Sequence, residues 1–413
     1  MTQRDIIVIG AGIIGISTAL ALQASGFSVR ILDRKGVAAE ASQGNAGAFA
    51  FTDIVPLATP GIMLKAPKWL LDPMGPLSVP PSYALKIAPW MLRFWRASWR
   101  DRYDATITAQ AQLMKLSRAA LERQIQMVSG EEMMQRDGQL QLYEGEREYA
   151  ASLPGWELRR QHGVEFELLE SPQKIAEIQP GLDLRFTHAS FTPKWMNTCD
   201  PARWTEHLAR NFVARGGTID IDEVKSLSQE QGQVLLTTTS GKQHARQVVV
   251  AAGAWSHRLA KTLGDKIPLE TERGYNTTLP AGAFDLRTHL TFGGHGFVVS
   301  KISGGVRVGG AVELGGLTLA PNYKRADILL KKAVQFLPEL NTQGGQQWMG
   351  FRPSTPDSLP VISYASNTRN VIYAFGHGHL GMTQAAGTAE LVTSLANGNE
   401  ATMSLDAFSA SRF

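Results

Sequence analysis

The chain has 413 residues, 43% of them hydrophobic, enough to bury a large core divided over two domains. Lys and Arg number 41 against 37 Asp and Glu, a net charge of +4 that is too balanced for a nucleic-acid binder, while a pI of about 9.1 suits an anionic substrate or an anionic membrane surface. The single cysteine, Cys199, excludes an internal disulfide and any CxxC metal or redox motif, so no metal site is expected and a reducing cytoplasm fits the composition.

Residues 5 to 9 (DIIVI) read as a short apolar strand, followed by Gly10, Gly12 and Gly15 at GxGxxG spacing and a helix-like ISTALALQASG. A second strand, SVRILD, ends at Asp33, eighteen residues after Gly15, where a carboxylate can accept hydrogen bonds from a ribose. Strand, glycine turn, helix and terminal acid together predict dinucleotide binding. The apolar run from Ile6 to Leu22 also resembles a membrane or signal segment, but its three glycines, the lack of a Lys/Arg-rich flank and the absence of a cleavage pattern argue against that. The expectation is a soluble or peripheral chain with nothing that marks it for export.

After Gly47 the βαβ rhythm is lost, and the proline-rich stretch from Pro56 to Pro89 reads as an irregular excursion over the active-site face. In the segment Pro89 to Tyr103, a helix starting at Pro89 would align Arg93, Arg96 and Arg100 in one stripe, bordered by Met91, Phe94, Trp95 and Trp99. That is the composition of a helix lying on an anionic membrane, although a packed helix with snorkelling arginines is the commoner case. A further helix is predicted over about Asp104 to Val128, with Leu113, Leu116, Ala120 and Ile125 on one face. Asp200 to Gly217 carries an acidic cap, proline at the first helical position and glycine at the end. A strand at 218–222 and the hairpin-like VLLTTTSGKQHARQVVVAAG lead back to the dinucleotide domain, and the alternating stretches beyond Pro268 predict an antiparallel sheet carrying the substrate pocket.

The C-terminal region holds two polar devices. GFRPSTPDSLP places Arg352 in a Gly/Pro-rich turn where it can be held against a small anion. Gly376 to Gly381 form a glycine-rich turn running into a helix whose N-terminal N–H groups can receive negative charge. His377 and His379 are candidate bases, although a histidine beside glycines is more often a hydrogen-bonded turn residue. The predicted class is α/β: a Rossmann-like dinucleotide-binding domain with a parallel sheet (residues 1–55, 190–265 and 346–413), interleaved with a substrate domain of antiparallel sheet plus helices (56–189 and 266–345).

The N-terminal fingerprint, ASQGNAG (Ala41 to Gly47), VVVAAGAWS (Val248 to Ser256), GFRPSTPDSLP and GHGHLGMT together resemble the D-amino-acid oxidase superfamily of FAD enzymes. The branch they look most like is the bacterial D-amino-acid dehydrogenases, including those acting on D-proline and hydroxy-D-proline. The resemblance implies that Gly10, Ala11, Gly12, Ile14 and Gly15 cradle the pyrophosphate, that Asp33 and Arg34 meet the adenosine, and that Ser42, Asn45, Ala46 and Gly47 lie along the flavin. It implies further that Val224 meets the adenine side by its backbone, that Ala252 and Gly253 sit near the pyrophosphate, and that Gly378, His379, Leu380, Gly381, Met382 and Thr383 border the pyrimidine edge. Arg352 would pair with the substrate carboxylate. Tyr275 resembles a pocket tyrosine, or else packs as a sheet aromatic. His379 and Met382 depart from the small polar and aromatic residues expected there, which alters the pocket beside the flavin.

The implied reaction is hydride transfer from the Cα of a D-amino acid to flavin N5, giving an imino acid, with electrons passed to a quinone or another acceptor. A membrane-bound quinone would bring the chain to the inner face of the cytoplasmic membrane as a peripheral protein. Three alternatives stay open on sequence: an NAD-dependent dehydrogenase, an FAD subunit of a heteromeric complex, and a glycine- or sarcosine-type amine oxidase. The oligomeric state is not read from the sequence.

Overall fold

A computed structural model describes residues 5–64, 75 and 77–413. Part of the Pro56 to Pro89 excursion thus lies outside the described residues. A six-stranded sheet runs in the order Thr218–Ile221, Ser28–Asp33, Asp5–Ile9, Gln247–Val250, Thr368–Phe375, Val361–Ala365. Its first five strands are parallel and the last is antiparallel. The central strands carry buried apolar runs because helices cover one face and a small three-stranded sheet, 224–245, covers the other.

Helices Ile13–Ala24, Arg100–Met127, Pro201–Ala214 and Gly381–Ala396 build the helical layer. The Gly381–Ala396 helix is buried on nearly all sides, and at Gly387 it crosses the Arg100–Met127 helix so closely that a Cβ would lie 2.4 Å from Ser117 Oγ. The Asp200 cap is realised: its Oδ1 accepts from the N–H groups of Ala202 and Arg203 at 2.9 and 3.0 Å, with Pro201 opening the helix.

The second layer is a nine-stranded sheet that begins at the edge strand Gln346–Ser354, passes through Glu270–Leu279, Gly305–Leu314, Phe297–Ile302 and His289–Phe292, and reaches Gln139–Glu144 and its neighbours. Most pairings are antiparallel, as expected, but His289–Phe292 runs parallel to Gln139–Glu144, and Leu77–Ser78 pairs in parallel with Gly305–Leu314. Helix Lys324–Phe336 packs beneath it on a core that includes Phe186, Phe292, Phe297 and Phe336.

Three local expectations are corrected. Arg352 lies within an extended strand instead of a turn; Pro353 is accommodated because that strand is at the sheet edge, where a missing N–H costs no ladder bond. The same strand keeps the chain in the nine-stranded sheet until Ser354, so it reaches the six-stranded sheet later than residue 346. Pro89 sits inside the helix Ala84–Ala97 and not at its start, and the carbonyl that its missing N–H would leave free belongs to Leu85, which is 90% exposed to water. The helix then stops, Trp99 adopts extended backbone angles, and Arg100 opens the next helix, so the arginine stripe does not continue through Arg100.

Candidate active site

A cavity of about 770 Å³ lies at the carboxyl ends of the parallel strands, where open α/β sheets place ligands. Gly10 follows the first strand, Asp33 ends the second, Ala251 to Gly253 follow the Gln247–Val250 strand, and Gly376 to Met382 follow the Thr368–Phe375 strand. From there the cavity extends to the nine-stranded sheet at Glu272, Gly274, Trp348 and Arg352.

At the first end, the glycines are required by contact and not merely by flexibility. Gly10 has φ of +113°, and a Cβ there would lie 2.3 Å from the Ala251 carbonyl oxygen; one at Gly15 would lie 1.8 Å from the Gly10 oxygen. At Gly12 the nearest atom to a Cβ is Ser42 Oγ at 3.3 Å, so the helix start remains open to the cavity. Ser42 Oγ accepts from the Ile13 N–H at 3.0 Å, a helix cap supplied from a distant loop. Asp33 knits this region together: Oδ2 accepts from Ala11 N–H at 2.8 Å and Oδ1 from Lys35 and Gly36 N–H at 2.7 and 2.8 Å. Arg34 pairs with Glu40, and its guanidinium stacks over the Trp255 ring at 3.7 Å. Val224, Ala252 and Gly253 line the same end.

In the middle, Asn45 Oδ1 accepts from the Gly47 N–H at 2.9 Å, fixing a turn in which Gly47 has φ of +75°. Ala46 and Asn45 line the cavity, and the Asn276 amide donates to the Gly44 carbonyl at 2.8 Å. Across from them the Gly378–Leu380 turn leads into the Gly381–Ala396 helix, which has no side-chain cap and no acidic residue in its first turn. Its N-terminal amides are therefore available for negative charge. Thr383 is committed elsewhere, accepting from Ala50 N–H at 2.9 Å.

At the far end, strand pairing sets Glu272 opposite Arg352 and Gly274 opposite Gly350, with Gly274 providing the space that the Arg352 guanidinium fills. Arg352 donates from Nη1 to the Ala311 carbonyl at 2.9 Å and makes no other hydrogen bond or short ion pair among the described residues. Burial lowers its pKa, an effect that the Glu272 charge partly opposes. Glu272 is shifted upward, first by burial, with Arg352 opposing. The guanidinium thus keeps most of its fork for a ligand.

The histidines divide. His377 is buried, its Nε2 lies 2.9 Å from Thr388 Oγ1, and burial pushes its pKa down to about 3. His379 opens to the cavity; burial first and the Arg352 charge second push it down to about 4. Because the His379 ring is accessible from the cavity, water screens part of that shift, and the downward direction is what the surroundings support. Tyr275 borders the cavity, but its position along the strand differs from that of Glu272 by an odd number, so its side chain leaves the opposite face from Arg352. Its hydroxyl donates to Glu313 Oε1 at 3.1 Å and accepts from Asn322 N–H at 2.9 Å, joining a buried cluster in which Arg273 Nη1 meets Glu313 at 3.1 Å. Tyr275 therefore braces the sheet behind the pocket.

Sequence reasoning missed Asp53, Gly274, Glu272, Arg307 and His289, all of which line the cavity. His289 is buried beside Trp195, with its pKa pushed down to about 3 by burial. Cys199 is not among the cavity-lining residues.

This combination defines a dinucleotide-binding α/β protein whose second sheet carries a buried arginine at the cavity wall. The chain belongs to the FAD dependent oxidoreductase family, whose model matches residues 5–395. It is 33% identical over 99% of both chains to a D-amino-acid oxidase of Bradyrhizobium diazoefficiens, and 30% identical, over 98% of this chain and 99% of the other, to a D-amino acid dehydrogenase of Rhizobium rhizogenes. Among solved structures, glycine oxidase from Geobacillus kaustophilus superposes with a TM-score of 0.80 at 20% identity over the whole of both chains. L-proline dehydrogenase from P. horikoshii superposes with a TM-score of 0.76 at 19% identity, covering 100% of this chain and 98% of that one; both are likenesses of fold. The glycine contacts, the open helix start at Gly12 and the uncapped helix at Gly381 fit FAD. Among the described residues no helix is long and apolar enough to cross a membrane.

Proposed function

We propose that the chain oxidises D-amino acids, with Arg352 holding the substrate carboxylate. The observation that carries this reading is the Arg352 fork, anchored by one bond to Ala311 with no other hydrogen bond among the described residues, in the same cavity as the Gly10 to Gly15 and Gly378 to Met382 turns. The curated relatives named D-amino-acid oxidase and dehydrogenase support the substrate class. When bound, FAD supplies the acceptor for a hydride from Cα. The amine nitrogen gives up a proton, the product is an imino acid, and water hydrolyses it to a keto acid and ammonia. Gly10, Ala11, Gly12, Ile14 and Gly15 hold the pyrophosphate end, Asp33 and Arg34 the adenosine end, with Val224, Ala252 and Gly253 beside them. Ser42, Asn45, Ala46 and Gly47 lie along the ring, and Gly378 to Thr383 border its pyrimidine edge. His379, neutral at physiological pH, lines the pocket as a hydrogen-bonding group, and orientation by Arg352 does most of the work.

The electrons then pass to a quinone or a dye in preference to oxygen, and the chain meets the cytoplasmic membrane peripherally. Exposed Leu64, Leu85, Leu92, Trp95 and Trp99 cluster in one stretch of sequence, with Arg93 and Arg96 among them, and this supports the reading. Anaerobic mixing with a panel of D- and L-amino acids, glycine and sarcosine tests the substrate class: D-amino acids should bleach the flavin, and reduction by glycine or sarcosine alone would refute it. Faster reoxidation by a soluble quinone than by air, together with salt-sensitive binding to anionic vesicles, is the expected result for the acceptor. Rapid peroxide formation without vesicle binding would overturn that part.

A further inference from the structure

We propose that Asp53 is a specificity-determining residue whose carboxylate receives a cationic group, an ammonium or guanidinium, at the far end of a substrate held by Arg352. The inference rests on the amino-acid reading above and adds which side chains the pocket prefers. Asp53 lines the same cavity as Arg352 and His379. Its loop is tied down on both sides. Ala50 N–H donates to Thr383 Oγ1 at 2.9 Å, Asp53 N–H donates to the Ala50 carbonyl at 3.0 Å, and Leu57 N–H donates to Ser358 Oγ at 3.1 Å. The Gln110 amide donates to the Asp53 carbonyl at 3.4 Å and accepts at Oε1 from Gln384 at 3.2 Å. These bonds bind the loop to the start of the Gly381–Ala396 helix and to the turn just beyond the Arg352 strand.

None of those bonds uses the Asp53 side chain. The carboxylate itself has no hydrogen bond and no ion pair among the described residues, although the surrounding protein is dense enough to push its pKa upward by burial. Arg159 is the cation that opposes this shift through its charge; its bonds go to backbone carbonyls, Nε to Thr52 at 3.0 Å and Nη1 to Gly155 at 3.1 Å, and neither reaches the Asp53 carboxylate. The side chain is half-buried and opens to the cavity, so a ligand that displaces cavity water there must replace its hydration with a hydrogen-bonding partner. Glu272, the other acid on the sheet side of the cavity, faces the positive charge of Arg352 across the strand pair. Among the described residues Asp53 has no hydrogen-bond or ion-pair partner, Arg159 acting on it only as a nearby charge, and a cation entering with the substrate supplies one. The pocket then reads two ends of one molecule, carboxylate at Arg352 and cation at Asp53. A basic side chain is favoured over a neutral isostere, and an acidic one is rejected.

The test uses the FAD-loaded full chain and two unreactive carboxylates, 5-guanidinopentanoate and its neutral isostere 5-ureidopentanoate, titrated by their perturbation of the flavin spectrum. The guanidino compound should bind at least about tenfold tighter, and Asp53→Asn should bring the ratio to within about twofold of one. Equal affinities in the wild-type protein, a measurement that requires no variant to fold, would overturn the proposal, as would an unchanged ratio in Asp53→Asn. If neither carboxylate binds at all, the amino-acid reading itself falls, and this inference with it.

Discussion

Gly274→Ala isolates the position of Arg352 from its presence. Gly274 has ordinary strand backbone, so alanine fits its φ and ψ without strain. The added Cβ, however, would lie 2.3 Å from Nη2, 2.4 Å from Cζ and 2.9 Å from Nε of Arg352, where ordinary contact begins at 3.4 Å. The guanidinium must therefore move by about 1 Å, and since it is the end of a flexible side chain it yields before the sheet does. A displacement of about 1 Å in an orienting group costs up to roughly 100-fold in rate, or about 2.7 kcal/mol of transition-state stabilisation. Folding stability should hardly change, because the lower entropy of the unfolded chain, about 0.4–1 kcal/mol in favour of alanine, offsets the mild crowding. The assay is kcat/KM for a D-amino acid with a dye acceptor, alongside FAD content and Tm. The expected outcome is a fall of roughly 30- to 100-fold with FAD content retained and Tm nearly unchanged. Activity within about threefold of wild type would refute the argument that the Arg352 fork orients the substrate.

Removing the fork should cost more than displacing it: Arg352→Ala is expected to lose about 2–5 kcal/mol of transition-state stabilisation, and Arg352→Lys should not restore it, since a point charge cannot hold a carboxylate bidentately. Steady-state kinetics with unchanged flavin content checks this. FAD should be held without a thioether link, because Cys199 is not among the residues lining the cavity, and acid precipitation should release all of the yellow colour from the polypeptide. Acid should destabilise the fold through His377, whose pKa is about 3 when folded against 6.5 as a free side chain. The unfolded chain binds the proton first, so this contribution is present above pH 6.5 and lost as pH falls below it, by about 2 kcal/mol between pH 7 and 5. His377→Gln should show a correspondingly smaller loss over the same range in denaturant melts.

Where a motif is local, the sequence disclosed it. The packing of Gly15 on Gly10, the acid at Asp33 and the Asp200 cap depend on neighbours within one supersecondary unit, and the structure forms each of them; the contact of Gly10 with Ala251 is the long-range exception. The Pro89 helix misled for a similarly local reason: proline at a helix start is the commoner arrangement, and only the exposure of Leu85 makes an interior proline tolerable there. The pocket face of Glu270–Leu279 was not legible. That strand is buried on both faces, so the polar alternation that would reveal its inward side is absent; it carries Glu272, Arg273 and Asn276 in sequence with no solvent face to sort them. What sorts them is register against Gln346–Ser354, a pairing across more than seventy residues. It sends Glu272 and the Gly274 gap toward Arg352, and Tyr275 with Arg273 toward Glu313. The role of Gly274 comes from the absence of a side chain on the face that Arg352 occupies, so the residue that makes room for the guanidinium is one whose chemistry, taken alone, announces nothing.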